Sequence, residues 1–224
     1  MSDPTAAFWD DRIARWYAET DWASMPSIFV EQAKEHLPST GKVLELGCGS
    51  GQDGLWLAAQ GYDVTQTDLI DSMFPTIEER ARQLGVETTL QQLDVVTDLA
   101  TIPDQTYDVV HAHLSLHYFD KKTTQAIFDQ IHRILKTGGV LTALFNSVDD
   151  PEMKEGEEIE LHYRHVGKIN KRYLSADEAR EFAHQFQILL ADNHGETYKD
   201  RAKDVHNLIR LIAKKSPLLR RKNE

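Results

Sequence analysis

The stretch Val43-Leu-Glu-Leu-Gly-Cys-Gly-Ser-Gly-Gln-Asp-Gly54 decides the fold, and it holds two glycine patterns that overlap. Gly49-Ser-Gly51-Gln-Asp-Gly54 satisfies the dinucleotide fingerprint, whose glycines turn the chain, admit a pyrophosphate and let a helix pack closely on a strand. Glu45-Leu-Gly47-Cys-Gly49-Ser-Gly51 places an acid two residues before the first glycine of a tighter loop. Either pattern predicts a short buried strand over 42–46, a turn, and a helix whose free N–H groups face a ligand.

The alternation continues outward. Gln52 to Gln60 reads as a helix closed by Gly61, and Tyr62 to Thr67 as a second strand ending at Asp68. Ile70 to Leu84 reads as a helix whose regular part begins near Pro75 and which Gly85 closes. Val86 to Leu93 is a third strand stopping at Asp94, and Tyr107 to His113 a fourth. A helix over 122–135, the turn Lys136-Thr-Gly-Gly139 and an apolar fifth strand over 140–145 follow. Strands separated by helices at this rhythm predict a Rossmann-like α/β fold with a mostly parallel sheet covered on both faces.

Both ends depart from the rhythm. Residues 1–41 carry apolar and aromatic residues at helical spacing and predict an N-terminal helical cap, with Trp22 to Leu37 helical until Pro38. Residues 147–172 are polar and charged and read as a long loop, a substrate-lid insertion on the edge where ligands bind. Ser175-Ala-Asp-Glu178 has the form of a capping box. Gln187 to Ala191 and His206 to Ala213 read as two last strands joined without a helix, which makes them antiparallel and brings the sheet to seven strands. The domain is thus expected over 42–214, with 215–224 a frayed basic tail.

Composition narrows the function. A chain of 224 residues suits one domain with a small extra lobe. One cysteine, Cys48, excludes a disulfide framework and a multi-cysteine metal site. A net charge of −11 repels phosphate backbones and disfavours nucleic acid as partner. The first residues lack the basic and apolar regions of a leader, and no stretch reaches the roughly 20 apolar residues of a membrane helix, so a cytoplasmic location is expected. A monomer and a homodimer are equally compatible with the N-terminal aromatics.

Three features weigh against a pyrophosphate. Glu45 would repel it but suits a cationic amino-acid end, Asp94 offers a polar contact to an adenine, and the last strand pair replaces a second mononucleotide-binding half. At this point the sequence resembles the class I S-adenosylmethionine-dependent methyltransferases. VLELGCGSG matches their first motif, GYDVTQTD the second strand with its ribose-binding acid, and LDV at 93–95 the adenine contact. YDVVHAHLSLHYF and LKTGGVLTALF match the fourth and fifth strands, and five motifs in order are far more specific than any one. The Asn/Asp-Pro-Pro-Tyr motif of base-amino methyltransferases is missing, as is a Pro-Cys motif for attack on cytosine C5.

The resemblance implies S-adenosyl-L-methionine as cofactor and a small-molecule acceptor, near the tellurite-resistance and thiopurine types. Carried over, it sets Gly47, Cys48, Gly49 and Gly51 beside the methionine part with Glu45 nearby, Asp68 on the ribose hydroxyls and Leu69 on the adenine. It sets Asp94 and Val95 at the adenine edge, His113 beside the methionine and methyl groups, and Tyr17 as a lid residue. His113, His117 and Tyr118, at the mouth of the fourth strand, are the candidate catalytic or substrate-facing residues. HAHLSLH spans strand and loop without an adjacent cysteine or glutamate, so no metal site is expected there. A protein that binds the cofactor without catalysis is the competing reading.

Overall fold

Alternate residues of β1 (Lys42–Leu46) go to opposite faces of a seven-stranded sheet. The computed structural model describes residues 4–10, 12–20, 24–201 and 207–217. Leu44 and Leu46 join Val110, Leu141 and Ala143 under helices α6 (Lys121–Ile134) and α7 (Ala176–Phe182), through Ile127, Phe128, Ile131 and Phe182. Val43, on the other face, packs with Val64 and Val109 against Val30 of α3 (Ile28–Ala33) and Leu57 of α4 (Gln52–Ala59).

The other strands are β2 (Asp63–Asp68), β3 (Thr89–Gln92), β4 (Tyr107–His113), β5 (Leu135–Phe145), β9 (Gln187–Gly195) and β10 (Leu208–Lys214), ordered β3-β2-β1-β4-β5-β10-β9. The first five are parallel, and β10 runs antiparallel to both β5 and β9. This is the expected Rossmann-like sheet with helices on both faces, and the order turns back between β1 and β4. The carboxyl ends of β1, β2 and β4 therefore meet at one rim, the place where open α/β sheets bind ligands.

Local chemistry sets the boundaries. Pro75 stands in the first turn of α5 (Phe74–Leu84), and Gly85 ends it in the left-handed conformation at φ 67°. The single helix expected over 22–37 does not form where it is described: Pro26 keeps the chain extended, and Ser27 caps α3 by accepting from Val30 N–H. The aromatic segment before it is two helices, α1 (Pro4–Asp10) and α2 (Ile13–Glu19). Trp22 and His206 lie outside the described residues.

The insertion is not a loop. After a 3₁₀ turn at Pro151–Lys154 it folds as an antiparallel meander of β6 (Glu157–Glu160), β7 (Tyr163–Val166) and β8 (Ile169–Arg172). A short helix, α8 (Tyr198–Arg201), also interrupts the expected helix-free link between β9 and β10. The strand β5 starts at Leu135, so the glycine pair lies within it and not before it. Lys215 does not fray: its N–H donates to Gly139 O, its carbonyl accepts from Gly138 N–H, and its ammonium reaches Leu135 O at 2.8 Å. The rest of the expected tail, 218–224, is outside the described residues. No helix among the described residues is long and apolar enough to cross a membrane.

Candidate active site

The glycine loop follows β1 at the rim. Gly47, Gly49 and Gly51 all have left-handed φ, of 69°, 53° and 72°, a region that costs an L side chain energy and glycine nothing. A Cβ at Gly47 would overlap Ser115, whose hydroxyl donates to Leu46 O, and one at Gly51 would lie 2.7 Å from Ile77. Gly49 is the open point of the loop. A Cβ there would meet only Ile13 of α2, at 3.6 Å. Ile13 is buried with Cys48, Leu55, Met73 and Ile77, and Trp16 and Tyr17 pack against the same cluster. Helix α2 therefore lies over the glycine loop.

Asp68 ends β2 beside it. Its carboxylate accepts from Gly49 N–H at 2.8 Å and from Ile70 N–H at 3.1 Å, and it stays partly exposed. Burial raises its pKa above the ordinary value, and those backbone bonds oppose the rise. Leu69 follows it, half-buried, with its carbonyl accepting from Gln92. Asp94, after β3, accepts from Val96 N–H at 2.8 Å through Oδ1, and Val95 packs on the sheet core. Cys48 is a packed residue. Its N–H donates to Thr67 O, and burial, reinforced by Glu45 and Asp68, pushes its thiol pKa well up.

Glu45 departs from expectation. It does not line the rim but is buried beneath the loop, 3% exposed, with its carboxylate on Gly54 N–H of α4. The same network assigns the amide of Gln66, whose Nε2 donates to Glu45 Oε2 at 3.1 Å and to Gly51 O at 3.2 Å. Burial, together with the Asp53 and Asp68 carboxylates, holds the Glu45 carboxyl well above its ordinary range. The sign follows. Between the ordinary glutamate pKa and the raised one, the folded chain keeps a proton that the unfolded chain has lost, so this residue's contribution falls as pH rises. Glu45→Gln, close in shape to the protonated acid, should gain stability on the wild type by up to about 1.4 kcal/mol per pH unit in that window. Urea unfolding at pH 5, 6, 7 and 8 measures it; parallel curves would mean that Glu45 is ionised throughout.

On the far side of the rim, His113 ends β4 with its Nε2 buried and, among the described residues, without a hydrogen-bond partner, as is His117 Nδ1. Burial depresses both imidazoles, His117 to about 3. The Tyr118 ring lies 4.4 Å from His117 and edge-on to Trp9 of α1. Burial raises the Tyr118 phenol, and the Asp68 and Glu152 carboxylates raise it further. The insertion closes this side. Arg172 N–H donates to His117 O, Tyr163 OH donates to Tyr118 O, and Glu152 accepts from Tyr173 OH at 2.7 Å and from Lys171 at 2.8 Å.

Several of these groups escaped the sequence. Trp9 and Glu152 are far from every motif, and Lys171 lies in the polar string read as a lid, where nothing in its spacing singles it out. His111 of β4 does not join the other histidines of HAHLSLH. It turns toward Asp53 of α4, and Glu45, Asp53 and His111 bring ligand-type atoms within 4.8 Å of one another. Asp53 was visible only as an acid in a helix's first turn.

Comparison with known proteins fits this geometry. Residues 43–139 match the family model described as Methyltransferase domain. The tRNA 5-carboxymethoxyuridine methyltransferase of Escherichia coli K12 is 24% identical over 163 residues, covering 71% of this chain and 60% of that protein's length. An S-adenosyl-L-methionine-dependent Diels-Alderase of Talaromyces variabilis is 34% identical over 46% of this chain and 35% of its own. The chain thus spans less than two thirds of either relative. The Burkholderia thailandensis 1,6-didemethyltoxoflavin-N1-methyltransferase, solved with its substrate and S-adenosylhomocysteine, superposes with a TM-score of 0.69 at 19% identity, covering 97% of this chain and 92% of that one. Loop, sheet order and family match agree: residues 43–139 match the methyltransferase domain, and the fold is the one shared by S-adenosylmethionine-dependent methyltransferases.

Proposed function

We propose that the protein transfers a methyl group from S-adenosylmethionine to a small, uncharged, polar acceptor. The observation that carries the reading is the junction of Asp68 with Gly49 N–H at the rim, beneath the helix α2 that covers the loop. The residues present suit that cofactor: a left-handed glycine loop admits close contact, Asp68 and Asp94 would take the polar edges of its nucleoside, and the buried His113 Nε2 would lie beside its methionine part. When bound, the cofactor supplies an electrophilic methyl on a sulfonium.

The chain's own residues orient the acceptor and exclude water, the main tasks in a displacement that proximity can assist by about 7–11 kcal/mol. Lys171 and Glu152 are committed to each other, and His117 is neutral near pH 7, so the acceptor side offers neutral hydrogen-bonding atoms and aromatic faces. An imidazole so depressed is a weak base, which favours acceptors that need little help in losing a proton. The strongly acidic balance of the chain supports a small molecule over tRNA. In this reading residues 1–41 are the cap and 147–172 the acceptor-side lid. The Diels-Alderase relative motivates one competing reading, in which the cofactor is held without transfer.

Calorimetry with S-adenosylhomocysteine and NAD, followed by transfer of labelled methyl groups to metabolite and tRNA pools, tests both. Binding of S-adenosylhomocysteine alone and label in the metabolite fraction are expected. Label in tRNA would overturn the acceptor class, and binding without any transfer would favour the second reading.

A further inference from the structure

We infer that Asp53 is a positioning residue that latches the N-terminal cap to the glycine loop and thereby sets how long a cofactor stays bound. The inference rests on the proposed cofactor site in its second half only. Asp53 stands in the first turn of α4, two residues after Gly51, and is 1% exposed. Its Oδ1 accepts from Ser27 N–H at 2.6 Å, and its Oδ2 accepts from Ser27 Oγ–H at 2.6 Å and from His111 Nε2 at 2.9 Å. His111 Nδ1 pairs in turn with Thr142 Oγ1 at 2.8 Å. Ser27, Asp53, His111 and Thr142 are all buried, and they join the cap's stalk, the loop helix, β4 and β5 in one line.

Burial alone would raise the Asp53 carboxyl, but the bonds from His111 and Ser27 and the attraction of His111 outweigh it and leave the pKa lowered. An ionised carboxylate in such a place contributes little net stability compared with apolar packing, and its better-attested use is to impose one register on the groups it joins.

The groups joined here are informative. Ser27 is where the cap's chain enters α3, and a second clasp acts on the same stalk: Arg80 of α5 donates to Ser24 O at 2.9 Å and to Ser50 O of the glycine loop at 2.8 Å. The stalk of residues 24–27 is therefore held from both sides to the loop that Ile13, Trp16 and Tyr17 cover. Releasing Asp53 frees one side, so the roof opens more often while the sheet keeps its core.

Amide hydrogen exchange on the full chain without cofactor, and the dissociation rate of S-adenosylhomocysteine by stopped flow, test the latch. In Asp53→Ala, exchange in the helices Pro4–Asp10 and Ile13–Glu19 should quicken at least 10-fold with β4 and β5 unchanged, and dissociation should quicken by a similar factor. Asp53→Asn, which keeps the shape and one acceptor oxygen, should recover part of both. Wild-type exchange in the cap, or equal loss of protection in cap and sheet, would overturn the inference. If Asp53→Ala does not fold, Ser27→Ala is read by the same criteria. A wild type that binds no S-adenosylhomocysteine would sink the proposed cofactor site, while the exchange comparison would still decide the latch.

Discussion

Replacing Gly54 by alanine should destabilise the protein by about 2 kcal/mol or more, although the same change inside a helix ordinarily gains up to about 1 kcal/mol. The reversal comes from packing. A Cβ at Gly54 would overlap Glu45 Oε2 and Gln66 Cδ and lie 2.5 Å from Gln66 Cγ. Neither neighbour has room to yield: Glu45 is 3% exposed and Gln66 0%, and both are hydrogen-bonded under the loop. Overpacking of this kind typically costs about 1–3 kcal/mol, and disturbing a buried carboxyl adds to it. Thermal unfolding of Gly54→Ala beside Gly61→Ala is the measurement, because Gly61 borders open space and shows the cost of an unfavourable φ alone. No loss, or a gain, at Gly54 would refute the packing account, since that position has no positive φ of its own. The result also answers the question raised by the two glycine patterns. Gly54 completes the dinucleotide fingerprint because helix and strand approach closely over Glu45, and this packing requirement is independent of which cofactor the loop holds.

The second large effect is expected at Asp68. In Asp68→Ala, calorimetric affinity for S-adenosylhomocysteine should fall about 100-fold, since hydrogen bonds to a charged group are worth about 1.5–3 kcal/mol each and the Gly49 N–H loses its acceptor as well. Asp68→Asn, which can still accept from Gly49, should lose about 10-fold. Affinity unchanged in Asp68→Ala would remove the ribose assignment and with it the orientation of the proposed ligand.

Much of the frame was legible because it rests on strong local signals. Tyr107 to His113 alternates with buried residues on both sides and forms β4 with the expected bounds. Ser175 and Glu178 make the capping box that their spacing announces. The meander at 157–172 was not legible because its strands carry charges on half of their positions and bury only a few residues such as Tyr163 and Ile169, so its pattern is that of a polar loop. The direction of Glu45 was available in principle. On an alternating strand it shares a face with Val43, and that face belongs to α4, not to the rim. The partnership of Asp53 with Ser27 joins residues 26 apart across a segment whose helix was misread, and no periodicity announces it.

The sheet order has a practical consequence for handling the molecule. The glycine loop, the β2 and β3 acids, the β4 mouth and the insertion all gather at one pole, leaving the opposite pole to the short bends that deliver the chain into each parallel strand. Gly61 and Gly85, at two of those bends, have empty space around them. A fluorophore, a surface tether or an affinity handle grafted there would sit a whole strand's length from the chemistry and report on it without intruding.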